Sequence, residues 1–116
     1  MPKTGNYRRG RSRENSLKYR LWDAGFHCER MRGSAGGRPG APVKPIDLIA
    51  LQSDGNGGCR AFFIQVSRHK RHISSLEREE LTRLADRVGA VAVLAYIVDH
   101  RWVFESATGV SVKLNL

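Results

Sequence analysis

Apolar residues recur at helical spacing early in the chain and then give way to strand-like patterns. One helix face is formed by Leu17, Leu21 and Ala24. Ser12 precedes this stripe and Gly25 follows it, and serine and glycine commonly begin and end helices. The pattern therefore predicts a first helix from Ser12 to about Ala24. Residues 26 to 31 then alternate as a strand does.

Two further apolar runs predict neighbouring strands joined by a tight turn. The first run extends from Ile46 to Leu51, and the second from Phe62 to Val66. Residues 53 to 58 between them read Ser-Asp-Gly-Asn-Gly-Gly. Asn-Gly and Gly-Gly accept the positive φ that hairpin turns need, so we predict a hairpin here.

The second half of the chain predicts a helix followed by a buried strand. Ser74 with Glu77 three residues later is a capping-box pattern, and the apolar stripe after it continues to Gly89. Residues 91 to 98 are β-branched and small, which indicates a strand buried on both faces. Shorter strands are predicted over residues 101 to 105 and 110 to 114.

These elements predict an α/β fold in which helices flank a mixed central β-sheet. The order is α-β-β-β-α-β with further short strands. We expect the strands after Gly25 and Gly89 to be reached by crossovers, because parallel neighbours need them. At 116 residues the chain is long enough for one core but not for two. We predict a flexible basic arm over residues 1 to 10 and a single domain over residues 11 to 116.

The net charge of the chain indicates what kind of partner it binds. The chain has 20 Lys and Arg against 11 Asp and Glu, a net charge of +9, and a pI near 10.4. A domain this basic is expected to bind phosphate backbones, although a membrane surface or the ribosome would select the same composition. For the first ten residues, a merely solvated terminus is an equally open interpretation.

Other signals bear on the compartment. Cys28 and Cys59 are the only cysteines, and neither belongs to a Cys-X-X-Cys pair. This argues against a disulfide framework and a zinc site. The apolar run over residues 88 to 98 is shorter than the about 20 residues that span a bilayer, and no signal peptide is visible. We therefore expect a cytoplasmic protein with no membrane partner and no small-molecule cofactor.

Isolated polar residues inside the two central apolar runs are the candidate catalytic or metal-binding residues. Asp47 stands within Ile-Asp-Leu-Ile-Ala-Leu, where solvated alternation is absent, and such an aspartate is more often functional than structural. Gln65 and Ser67 share one face of the second run because side chains alternate along a strand. Plain alternatives are an aspartate bonded to its own loop and a buried amide satisfied by backbone.

Several short motifs, in order along nearly the whole chain, resemble one family. They are Arg13-Glu14, Ala24-Gly25-Phe26, Gly33-Ser34, Ile46-Asp47-Leu48-Ile49-Ala50, Ile64-Gln65-Val66, Arg101-Trp102-Val103-Phe104 and Gly109-Val110-Ser111. The chain thereby resembles the archaeal-type Holliday junction resolvases. The resemblance implies a restriction-endonuclease-like fold, a homodimer, and Mg²⁺-dependent (or Mn²⁺-dependent) cleavage of two strands of a four-way DNA junction in recombination and repair.

The resemblance also implies roles for individual residues. The expected metal ligands are Glu14, Asp47 and Gln65. The expected catalytic residues are Glu14, Ser34, Asp47, Gln65, Ser67 and His69. The clustering of positive charge, and not the resemblance, indicates the expected DNA-binding residues, which are Arg8, Arg9, Arg11, Arg13, Arg32, Arg38, Lys44, Arg68, Lys70 and Arg71. Without the resemblance, Glu14 would be taken as a first-turn acid that interacts with the helix dipole.

The chain departs from the family at two positions of the second strand. Where the family has Glu-X-Lys, this chain has Gln65 and Ser67, so one carboxylate and one positive charge are missing. Loss of one preorganised electrostatic group commonly costs about 10²–10³ in rate. If the strand continues, His69 lies on the same face as these residues, and we expect His69 or Lys44 to replace the lysine.

The two departures leave other functions open. One alternative is a nuclease-deficient protein that binds junctions on the same fold. Another is a nuclease of this fold that acts on other DNA.

Overall fold

The computed structural model describes residues 2 to 31 and 45 to 107, with side chains described from residue 12 onward. Two helices, five strands and one 3₁₀ turn make up this part of the chain. In chain order they are α1 (Pro2–Asp23), β1 (His27–Arg30), β2 (Leu48–Ser53), β3 (Cys59–Val66), the 3₁₀ turn (Lys70–His72), α2 (Ser75–Val88), β4 (Val91–Val98) and β5 (Arg101–Ser106). The strand predicted over residues 110 to 114 lies outside the described residues.

The start predicted for the first helix was wrong. Helix α1 begins at Pro2, ten residues before Ser12. Proline is tolerated at the first helical position because the N–H that it lacks has no partner inside a helix there. A serine is a frequent cap, but it does not prevent a helix from running through it. The separate arm proposed for residues 1 to 10 stays a prediction.

The five strands form one mixed sheet in the order β1-β2-β3-β4-β5. Only β3 and β4 are parallel, and α2 is the crossover between them. The predicted crossover before Gly89 is therefore confirmed. The crossover expected near Gly25 was wrong, because β1 pairs antiparallel with β2 and has no earlier strand to join. The hairpin between β2 and β3 is present, and Asp54 Oδ1 accepts from the N–H groups of Asn56 and Gly58.

Helices pack on the two opposite faces of the sheet. Leu17 and Leu21 of α1 pack against one face, where Phe62 and Ile64 of β3 lie. Ile73 and Leu81 pack against the other face, together with Leu94 of β4. The alternation of β3 thus sends Gln65 toward the α2 side of the sheet. No helix in the described part of the chain is both long and apolar enough to cross a membrane.

The predicted capping box at the start of α2 is present. Ser74 Oγ accepts from the Glu77 N–H at 3.1 Å, and Glu77 Oε1 accepts from the Ser74 N–H at 3.3 Å. Gly89 ends the helix with a φ of 74°, a left-handed conformation that glycine adopts without steric cost.

Ser74→Ala is expected to lower the free energy of unfolding by about 1 kcal/mol, because one N–H of the first turn loses its acceptor. Urea unfolding monitored by far-UV circular dichroism measures the loss. A Ser75→Ala variant is the control, since Ser75 is exposed and is not the cap residue. Equal stability of the two variants would contradict the assigned cap.

Candidate active site at the ends of the central strands

Asp47 lies immediately before β2 and is held there by the neighbouring strand. Its backbone N–H donates to the Ile64 carbonyl at 2.9 Å. Its side-chain Oδ2 accepts from the Val66 N–H at 2.7 Å. The pairing of Leu48 with Ile64 places Asp47 beside Gln65 at the ends of β2 and β3. The backbone thus orients a carboxylate that the sequence left surrounded by apolar residues.

The Asp47 carboxyl is difficult to ionise in this setting. Its pKa is raised from 3.8 to about 7, mainly by burial and in smaller part by the negative charges of Glu14 and Glu77. The hydrogen bond from Val66 opposes this change. A bound cation would offset the repulsion among these three acids and stabilise the ionised form of Asp47.

Gln65 is buried on the α2 side of the sheet with only 6% of its surface exposed. Its Nε2 donates to Glu77 Oε2. Its Oε1 is buried and has no hydrogen-bond partner among the described residues. A buried amide oxygen without a partner is unfavourable, and a cation or its hydration water would satisfy it.

Glu77, which the sequence analysis did not place in the site, lies in the first turn of α2. Its Oε1 accepts from the Ser74 hydroxyl at 3.0 Å, while its Oε2 accepts from Gln65. The capping-box pattern already explained this glutamate, and nothing else in the sequence indicated a second role.

Glu14 lies on α1 and forms an ion pair with an arginine side chain. Arg30 Nη1 lies 3.5 Å from Glu14 Oε2, and both side chains are about four-fifths buried. Burial raises the pKa of Glu14, and the charge of Arg30 opposes that rise. The charge of Glu14 nevertheless acts on Asp47. Its predicted role as a metal ligand stays a prediction.

β3 does not extend as far as His69, although a continuous strand was predicted there. β3 ends at Val66, although Ser67 N–H still donates to the Ala95 carbonyl at 2.9 Å. Ser67 Oγ donates to the His69 carbonyl at 2.9 Å, which turns the chain toward the 3₁₀ segment. Partial desolvation, together with the charge of Arg71 and other basic neighbours, lowers the pKa of His69. Its role in replacing the lysine stays a prediction.

The basic residues after β3 divide into two kinds. Arg68 and Arg71 are exposed, whereas Lys70 Nζ lies 2.9 Å from Oε1 of the buried Glu105. The charge of Arg13 on α1 also acts on His69, so α1 contributes to the same positive surface. The other predicted site residues lie outside the described side chains: Arg8, Arg9, Arg11, Arg32, Ser34, Arg38 and Lys44.

A hard divalent cation fits the kind of ligands at this site. Within residues 12 to 31 and 45 to 107, no group of three His, Cys, Asp or Glu side chains could hold a metal ion. Asp47, Glu77 and the partnerless Gln65 Oε1 nevertheless offer oxygen atoms near one another. Mg²⁺ prefers oxygen ligands and usually keeps several waters, so few protein ligands suffice.

The chain is similar to known proteins in both sequence and fold. A family model described as archaeal Holliday junction resolvase (Hjc) matches residues 5 to 113. Seven chains of solved structures match. One of them is the Hjc of Archaeoglobus fulgidus, a Holliday junction resolvase from an archaeal hyperthermophile, with a TM-score of 0.62, 28% identity, and coverage of 85% of this chain and 78% of that chain. No curated protein matches.

A mixed five-stranded sheet with one helix on each face and a polar cluster at the central strand ends defines a nuclease-type α/β domain of the restriction-endonuclease-like class. The family model matches most of the chain. The chain belongs to the archaeal Holliday junction resolvase family, which is a family of nucleases.

Proposed function

We propose that this protein is a Mg²⁺-dependent endonuclease that binds four-way DNA junctions and cuts two strands symmetrically. Family membership supports the junction as substrate. The observation that carries the chemistry is the partly buried Asp47, held by Val66 and placed beside the partnerless oxygen of Gln65. Mn²⁺ is expected to replace Mg²⁺, because both cations prefer oxygen ligands.

Each residue of the site has a physical task in this proposal. Asp47 and Gln65 hold the cation, which when bound polarises a phosphate and lowers the pKa of its water. Val66 fixes the Asp47 carboxylate through the backbone. Arg30 compensates the charge of Glu14 and orients it toward the site. Ser34 is proposed at the scissile phosphate on the resemblance alone, and Lys44 because it lies three residues before Asp47 in the sequence.

Basic residues supply the affinity for DNA in this proposal. The charges of Arg13, Arg68 and Arg71 all act on His69, which follows the end of β3 by three residues, so positive charge acts near this strand end. Contacts of this kind bind phosphate without reading sequence. A homodimer is proposed because a junction presents two related phosphates, and a twofold dimer presents two related sites. An intracellular location follows from a DNA substrate and is likewise proposed.

A second candidate is a junction-binding protein that has lost cleavage. It is favoured by the neutral side chains of Gln65 and Ser67, since the positive charge expected beside the phosphate is missing at Ser67. Both candidates bind junctions, and only cleavage separates them.

The test uses the full chain with a labelled four-way junction and with a linear duplex of the same arm sequence. Paired cuts in the junction with Mg²⁺ or Mn²⁺, none in the duplex, and none with EDTA are expected. Junction binding without cuts under every metal condition would support the second candidate. Equal cutting of the duplex would contradict junction selectivity, and a monomer in sedimentation at micromolar concentration would contradict the dimer.

A further inference from the structure

Helix α2 brings a carboxylate to the strand end where β3 has none. Glu77 lies twelve residues after Gln65 in the chain, yet its Oε2 accepts from Gln65 Nε2. Gln65 in turn lies beside Asp47 through the pairing of β2 with β3. Asp47, Gln65 and Glu77 therefore form one polar cluster at the ends of β2 and β3.

Capping the helix does not account for the whole Glu77 carboxylate. The Ser74 N–H and the Ser74 hydroxyl both donate to Oε1, which leaves Oε2 directed at Gln65. A capping box accepts glutamine as readily as glutamate, so the cap alone needs no charge at this position. The charge of Glu77 acts on Asp47 instead.

Gln65 provides an independent sign that a ligand belongs here. The side chain is 6% exposed, and its Oε1 finds no partner among the described residues, while its Nε2 is used to hold Glu77. A buried acceptor that nothing satisfies beside two carboxylates is the environment that an oxygen-liganded cation would complete.

We infer that Glu77 is a ligand of the divalent cation, and that it supplies from α2 the negative charge that β3 lacks at Gln65. This inference rests on the proposed metal-dependent function and deepens it. Gln65 then has two tasks: its Nε2 positions Glu77, and its Oε1 faces the cation or a water bound to it. The missing acid of β3 is thus relocated to a neighbouring element.

The direct test measures Mn²⁺ binding to the free protein by electron paramagnetic resonance, without DNA. Glu77→Gln keeps the size and the capping oxygen of the side chain but removes its charge. Affinity is expected to fall by at least about tenfold, the scale seen when groups around a metal site are lost. Glu79→Gln, the same change at an exposed position of α2, is the control and is expected to bind as the wild type does.

A relocation experiment adds a result that a structural role would not produce. Gln65→Glu combined with Glu77→Gln returns the acid to β3 and leaves the helix with a capping amide. This double variant is expected to recover Mn²⁺ affinity and junction cleavage relative to Glu77→Gln alone.

The outcomes separate this inference from the proposed function. If Glu77→Gln binds Mn²⁺ as tightly as the wild type, or if the double variant binds no better than Glu77→Gln alone, the role of Glu77 as a ligand is wrong. In that case, wild-type cleavage that is lost in Asp47→Asn would still support the proposed function. A wild-type protein that binds no Mn²⁺ and cuts no junction would overturn both.

Discussion

Asp47→Asn is expected to abolish junction cleavage and, in metal-free protein above pH 7, to make the fold more stable. The asparagine keeps an oxygen that accepts from the Val66 N–H, so the local backbone is preserved. It removes the charge that holds the cation, and cleavage is expected to fall by at least about 10²-fold. Loss of activity with a gain of stability is a pair of results that misfolding would not give.

The stability change depends on pH in a defined direction. Asp47 has a pKa raised by burial to about 7 in the folded protein, against 3.8 as its ordinary value. The folded state therefore holds the proton more tightly than the unfolded state, and stability falls as the pH rises from about 4 to about 7. Above pH 7 the full cost is present, on the order of 4 kcal/mol at about 1.36 kcal/mol per pKa unit.

Thermal melting in EDTA between pH 5 and pH 8 measures this effect. The wild type is expected to lose melting temperature across the range relative to Asp47→Asn, and Mg²⁺ is expected to return part of the loss. Asp86→Asn, at an exposed position of α2, is the control for removing a negative charge from this basic protein. Parallel pH profiles for wild type and Asp47→Asn would show that Asp47 is not held in an unfavourable charged state.

Lys70→Met is expected to destabilise the fold by about 1–3 kcal/mol, the cost of leaving a buried polar group without its partner. Glu105 is 8% exposed, and Lys70 Nζ lies 2.9 Å from its Oε1. The aliphatic part of lysine is retained by methionine, so the loss reports the charge. Lys70 was predicted to bind DNA, but this contact gives it a structural task as well.

A double variant identifies the cause of that loss. Lys70→Met combined with Glu105→Gln removes both charges and is expected to recover most of the stability in urea unfolding. Arg71→Met, at the exposed position next in the chain, is expected to leave stability unchanged while weakening junction affinity. If Lys70→Met and Arg71→Met are equally stable, the contact with Glu105 contributes nothing to the fold.

The sequence allowed much of this fold to be predicted because its signals are local. The capping box at Ser74, the hairpin at Asn56 and the apolar run into β4 are each decided within a few residues, and each is present. The helix start predicted at Ser12 was wrong because serine favours the start of a helix but does not prevent a helix from continuing through it. The 3₁₀ turn after β3 was missed because Ser67 bends the chain through its hydroxyl, which strand alternation does not reveal.

Site residues could be predicted from the sequence only where the pattern within a single strand or helix revealed them. Asp47 and Gln65 were found because polar residues within apolar strands are conspicuous. The contact of Arg30 with Glu14 joins β1 to α1, and the contact of Glu77 with Gln65 joins α2 to β3. Both depend on how the elements pack, so spacing along the chain contained no signal for them.

The neutral amide of Gln65 has a consequence for the stability of the fold when no cation is bound. A second acid in that buried strand position would face Asp47 directly, and two neighbouring buried carboxylates repel each other. With Gln65 there, the sheet closes around a single acid, while Glu77 remains at a partly exposed helix start. The strand ends therefore bury one acid instead of two, which lowers the cost of folding without a bound cation.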